Sequence, residues 1–171
     1  MQAEVQHVHV SNVDEAVEQP SQAQAAQRVY SQFEKPTGLR GRVAGWRMAH
    51  RRSNRERNAW AVSLLELQPT DRVLGLGFGP GLAIALMSAV VTGGHVVGID
   101  HSEMMLQQAK KRNAPAIEQG RVQLLLASAS ELPAGHDQYD KCLMVNVFHC
   151  WDHPDEVLRR VQWQMNPGGK I

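Results

Sequence analysis

Residues 73–81 read VLGLGFGPG, an apolar run that dissolves into glycines at 75, 77, 79 and 81. Such a run reads as a buried strand, and the glycines let backbone come close to a ligand. The segments that follow keep one rhythm. "GLAIALMSAVV" has the pattern of a helix, "GG" at 93–94 of a turn, and "HVVGID" of a second strand. "SEMMLQQAKKRNA" predicts a helix with Ser102 as N-cap and Glu103 in its first turn. "RVQLLLAS" and "YDKCLMVNV" read as a third and fourth strand. "PDEVLRRVQWQM" reads as a helix with Pro154 near its start, and "NPGG" as a turn before Lys170 and Ile171. Short apolar strands alternating with amphipathic helices predict an α/β fold: a three-layer, Rossmann-like parallel sheet covered on both faces. Ligands of such sheets sit at the carboxyl ends of the strands, where the loop 77–81 falls.

The chain upstream is different. Residues 1–27 are rich in Gln, Ala, Val and Glu and predict a flexible N-terminal arm. His7 and His9 in that arm lack nearby cysteines or carboxylates to complete a metal site, so no metal is expected. Residues 28–68 form a helical and basic segment, and 69–171 the regular α/β core. Charge is unevenly shared. Residues 1–34 hold five acids against Arg28, whereas residues 35–57 hold Lys35 and seven arginines against Glu56. Asymmetry of this kind suits either an anionic partner or a solvated helix face. Aromatic residues make up 5%, which leaves few platforms for stacked bases and argues against nucleic acid. "NRERNAWAVSLLEL" predicts a helix over about 54–67, with Trp60, Leu64 and Leu67 on one stripe, ended by Pro69. No apolar run is long enough to cross a bilayer, and no basic-then-apolar leader opens the chain. Cys142 and Cys150 are too few for a disulfide framework, which fits a cytoplasmic protein.

The glycine loop excludes two ligand classes. A dinucleotide fingerprint needs G-x-G-x-x-G, but the sixth position is Pro80 counted from Gly75 and Leu82 counted from Gly77. A nicotinamide oxidoreductase is therefore disfavoured. No Gly-Lys-Ser/Thr follows, so the loop is not a nucleotide P-loop.

Taken in order, "VLGLGFGPG", "VVGIDHSEMMLQQA", "LPAGHDQYDKCLMVNVFH" and "MNPGGKI" resemble successive motifs of class I S-adenosylmethionine-dependent methyltransferases of the small-molecule type. The likeness covers roughly residues 54–171, judged by the spacing of the βα units. It implies S-adenosylmethionine as cofactor and methyl transfer to an unidentified small-molecule acceptor. It assigns Gly77, Gly79 and Gly81 to the methionine part of the cofactor, Asp100 to the ribose and Ser128 to the adenine edge, and it adds His101 and Ala129 to the cofactor-binding set. Asn58 and Asn146 are expected to reach the cofactor from the helix before the first strand and from the end of the fourth. Met104 and Met105 are expected either to line the adenine or to pack in the core. In "NVFHCWDHP", Asn146, His149, Cys150 and His153 are candidates to face the substrate mouth, and His149 is the first choice for a base or polar contact, because an imidazole accepts a proton near neutral pH.

The chain departs from the family pattern in three places. Gly75 stands where the family usually has Asp or Glu, and Ser128 where it usually has Asp. The family's sheet has seven strands, and the fifth begins just before residue 171, so the last strands are expected to be missing. Strand four would then be an open apolar edge, which invites pairing. Either the chain is a fragment, or a homodimer covers that edge. These departures also leave a second reading: a catalytically silent binding or dimerisation domain derived from the methyltransferase fold.

Overall fold

The computed structural model describes residues 52–132 and 138–171. The arm at 1–27 and most of the basic segment lie outside the described residues. The described chain runs α1 (Arg52–Leu64), β1 (Arg72–Leu76), α2 (Leu82–Val90), β2 (His95–Asp100), α3 (Glu103–Arg112), α4 (Ala114–Glu118), β3 (Val122–Leu126), β4 (Tyr139–Met144), α5 (Pro154–Gln164) and β5 (Met165–Lys170). Short 3-10 turns at Ala129–Glu131 and Phe148–Cys150 follow β3 and β4.

The five strands form one parallel sheet in the order β3-β2-β1-β4-β5. The order reverses between β1 and β4, and the strand ends diverge there to leave a crevice. Period-two alternation splits β1 between two cores. Val73 packs on one face with Val62, Ile84, Met87 and Val96. Leu74 and Leu76 pack on the other with Val97, Ile99, Val157 and Val161. Both cores are close to dry: Val73, Leu74, Ile84, Met87 and Val161 are fully buried. The Cys142 thiol lies in the second core, where burial pushes its pKa up to about 12.

Gly75 is explained by this packing. It pairs in register with Gly98 on β2. A Cβ at Gly75 would lie 3.1 Å from Ile84 Cδ1 and 3.3 Å from Met87 Cε, and one at Gly98 would lie 2.9 Å from Phe78 Cδ1. The two glycines make a flat floor on which α2 and the Phe78 ring settle, and the space of a side chain is filled by apolar neighbours.

Three local expectations need correction. The helix expected over 54–67 ends at Leu64, and Glu66 turns the chain with φ 53°. Its buried face carries Asn58 and Val62, while Trp60 and Leu64 are 65% and 50% exposed. Helical spacing alone does not say which stripe faces inward, and here the stripe that meets α2 is the one bearing Asn58. The third concerns "NPGG", expected as a turn ahead of a missing strand. Residues Met165–Lys170 form β5 beside β4, with a register shift between Tyr139 and Lys141. The Asp140 carboxylate ties this region together: Oδ1 accepts from Asn166 Nδ2 on β5 at 2.7 Å, and Oδ2 accepts from the Arg72 backbone N–H on β1 at 2.8 Å. These bonds hold its carboxyl below the ordinary range. β4 is therefore covered, and β5 is the sheet edge on this side, opposite β3. Pro167, without an N–H, is tolerated on such an edge.

Candidate functional site

A cavity of about 130 Å³ opens at the carboxyl ends of β1, β2 and β4. The loop after β1 makes its floor. Gly77 donates its N–H to Ile99 O at 2.8 Å, tying the loop to β2. Gly77, Gly79 and Gly81 all have positive φ (65°, 51° and 80°), a region that other L residues rarely occupy. Their surroundings differ. A Cβ at Gly77 would stand 2.1 Å from Val147 Cγ1, and one at Gly81 2.6 Å from Asn113 Nδ2. A Cβ at Gly79 would meet nothing within 4 Å. Gly79 thus presents bare backbone to the cavity, whereas Gly81 turns toward α3 and does not line it.

Asp100 closes β2 and is only 7% exposed. Its two oxygens are both engaged. Oδ2 accepts from the Gly79 N–H at 2.8 Å, and Oδ1 from the Ser102 N–H at 2.9 Å. Burial raises its pKa, and the two backbone donors partly oppose that shift. His101 and Ser102 extend the same wall. Ser102 caps α3 as expected, its hydroxyl accepting from Met105 N at 3.4 Å. Met105 is buried and lines the cavity; Met104 does not.

The far wall comes from α1 and α2. Asn58 and Asn54 are one helical turn apart, and Asn58 Nδ2 donates to Asn54 O at 2.7 Å. Ile84 and Met87 complete this side. The third wall follows β4, where Leu143, Val145, Asn146, Val147 and Cys150 line the space. Asn146 has φ 57°, a left-handed turn that asparagine tolerates better than most residues. That turn sets Val147 against Gly77.

Of the residues expected at the site, Asn58, Gly77, Gly79, Asp100, His101 and Asn146 are brought together here. Gly81, Ser128, Ala129 and His149 do not line the cavity. The Ser128 hydroxyl accepts from Ser130 N at 3.3 Å and meets Ser130 Oγ at 2.7 Å, while Glu131 reaches back to the Ser128 N–H. This capping box starts the 3-10 turn and occupies the side chain. His149 is exposed on the second 3-10 turn, and its neighbour Cys150 faces inward instead. Asn54, Phe78, Ile84, Met87, Val145 and Val147 were not anticipated. The spacing of Asn54 and Asn58 was the one usable signal among them. Among the described residues no cluster of His, Cys, Asp or Glu is placed to hold a metal, and no helix is long and apolar enough to cross a membrane.

Comparison with known proteins supports one family. Residues 73–169 match a family model described as a methyltransferase domain. An uncharacterized methyltransferase of Bacillus subtilis is 32% identical over 128 residues, which cover 75% of this chain and 67% of that protein. A demethylmenaquinone methyltransferase of Bacillus cereus is 33% identical over 119 residues, covering 66% of this chain and 49% of the relative. Among solved structures, a SAM-dependent methyltransferase from Geobacter sulfurreducens in complex with S-adenosyl-L-homocysteine superposes with a TM-score of 0.58 at 26% identity. The match covers 72% of this chain and 50% of that one. The chain thus spans about half the length of the last two.

Proposed function

The chain belongs to the methyltransferase-domain family, and from that premise we propose that its cavity binds S-adenosylmethionine and serves methyl transfer to a small-molecule acceptor. The observation that carries this reading is Asp100. A buried carboxylate at the end of β2 lines the crevice and accepts the Gly79 N–H where the loop presents open backbone. Each of its oxygens accepts one backbone N–H, and a carboxylate offers roughly four lone-pair positions. Acceptor capacity therefore remains for the two hydroxyls of a ribose.

The other residues fit the same ligand. Gly79 leaves open space beside the loop for the methionine part, and Gly77 holds the loop down by its bond to Ile99. Pro80 has no N–H, so the loop is poor in donors for a pyrophosphate and suits a phosphate-free ligand. Met105 and Ile84 supply apolar lining for the less polar parts of that ligand. Asn54, Asn58 and Asn146 offer neutral amides to the polar tail. Ser128 and Ala129 lie just past Ala127, whose N–H donates to Asp100 O at 3.1 Å. They are proposed to flank the adenine from the rim rather than to hold it from within. Gly81 serves the loop by packing on α3.

The bound cofactor supplies an activated methyl group on a sulfonium. The chain's own residues supply placement: Asp100 orients the sugar, the loop fixes the tail, and the apolar wall keeps water from the sulfur. No base is needed for an acceptor that is already nucleophilic. His149, outside the cavity, would act only on an acceptor that reaches over the rim. The acceptor is proposed to enter past Asn146 and Cys150. A homodimer covering the sheet edge beyond β4 would pair through β5, not through β4 itself. Calorimetric titration with S-adenosylhomocysteine tests the binding claim, and methyl incorporation from labelled cofactor into a panel of small molecules tests transfer. Tight binding without transfer to any acceptor would favour the silent binding domain.

A further inference from the structure

The glycine loop is gripped from behind as well as from the cavity. Arg112, the last residue of α3, donates Nε–H to Pro80 O at 2.9 Å. The Pro80 carbonyl shares a rigid peptide plane with the Gly81 N–H. That N–H donates to Phe78 O at 3.0 Å. The Phe78 carbonyl shares its plane with the Gly79 N–H, which donates to Asp100 Oδ2 at 2.8 Å. An unbroken chain of three hydrogen bonds thus runs from a guanidinium, through two peptide units, to the carboxylate in the cavity. Its cationic end donates and its anionic end accepts, so every link is polarised in the same sense.

Neighbouring groups fix this chain in place. Asn113, next after Arg112, donates Nδ2–H to Gly81 O at 3.2 Å and to Ala109 O at 2.8 Å. Its Oδ1 is buried without a hydrogen-bond partner, so the amide is held by what its nitrogen must satisfy. At the other end of α3, Ser102 donates its N–H to Asp100 Oδ1. One helix therefore braces both the front and the back of the loop.

We propose that Arg112 is a positioning residue for Asp100, acting through the Gly81 and Gly79 peptide units to aim and polarise the carboxylate for its ligand. The inference rests on the reading that Asp100 holds the cofactor ribose. Arg112 itself is exposed and does not line the cavity; its side chain holds the Pro80 carbonyl of the loop and lies outside the core, so its removal leaves the core intact.

The experiment compares Arg112→Ala and Arg112→Lys with the unaltered chain by two readouts. The first is the dissociation constant for S-adenosylhomocysteine, measured well below the melting temperature. The second is the amide proton shift of Gly79 by nuclear magnetic resonance. Arg112→Ala is expected to weaken binding about threefold or more, the worth of part of a hydrogen bond. It should also move the Gly79 amide proton upfield while strand amides of β3 stay fixed. Arg112→Lys, still a donor, should recover most of both. A merely structural arginine would lower the melting temperature and leave both readouts unchanged, and that result overturns the proposal. If the unaltered chain binds no S-adenosylhomocysteine, the cofactor reading fails, and a positioning role toward that ligand falls with it. The Gly79 amide then still shows whether the relay itself exists.

Discussion

Replacing Gly77 with alanine puts a methyl group where Val147 already stands. The added Cβ would lie 2.1 Å from Val147 Cγ1 and 3.2 Å from its Cβ, at a residue with φ 65°. Two costs add. A left-handed conformation costs a non-glycine residue about 1–2 kcal/mol. Forcing a methyl into an occupied space costs about 1–3 kcal/mol more as neighbours shift. The sum is about 2–5 kcal/mol, against a total stability of about 5–15 kcal/mol for a domain. The two costs separate in a double-mutant cycle. Val147→Ala removes the colliding methyl but leaves the φ cost in place. Gly77→Ala/Val147→Ala should therefore be more stable than the two single losses predict, by a coupling of about 1–3 kcal/mol. Gly79→Ala, with φ 51° and nothing within 4 Å, should show the φ cost alone. Urea denaturation followed by circular dichroism measures all four. Additivity of Gly77 and Val147 within about 0.5 kcal/mol would show that the loop after β4 does not rest on the glycine loop.

Asp100→Asn keeps the shape but leaves an NH2 group facing one of two backbone donors. S-adenosylhomocysteine binding should fall roughly tenfold to a hundredfold, the loss of one charged hydrogen bond of about 1.5–3 kcal/mol, read by calorimetry. The sign of the pH effect follows from burial. Because the folded-state pKa of Asp100 is raised above its ordinary 3.8, its contribution to stability is full below that value and is lost as pH rises through the folded value. Ligand binding, which needs the carboxylate, should weaken in the opposite direction, on acidification through the same window. Asp100→Asn should flatten both trends in pH-dependent melting and titration. Thiol labelling offers a separate check. Cys142, buried and pushed up to about 12, should stay unlabelled in the folded chain at pH 8. Cys150 should label, and more slowly when S-adenosylhomocysteine fills the cavity it lines.

The strand and helix order from Asp71 onward was legible in the sequence because each segment carries its own period, its cap or its breaker. Ser102 and Pro154 mark their helices as the side-chain chemistry requires. Asp100 was legible through its distance from the glycines. What could not be read was direction. Gly81 shares the spacing and positive φ of Gly77 and Gly79, yet it faces Asn113 on a helix about thirty residues away in sequence. His149 and Cys150 are neighbours on one tight turn, and only the packing of that turn decides which of them faces inward. Ser128 follows a strand as an adenine contact would, but local hydrogen bonds with Ser130 and Glu131 claim its side chain. β5 was missed because Asn-Pro-Gly-Gly has every local mark of a turn. It lies beside a strand distant in sequence, and Asn166 bonds a carboxylate 26 positions away, Asp140.

The central claim is that this cavity holds a phosphate-free adenosine thioether through Asp100. Calorimetric titration of the 171-residue chain with S-adenosylhomocysteine, with NADH as control, tests it most directly. The account predicts saturable heat with the former at micromolar concentrations and none with NADH. A chain that is folded by circular dichroism and gives no heat with millimolar S-adenosylhomocysteine, or that binds NADH as well, would contradict it.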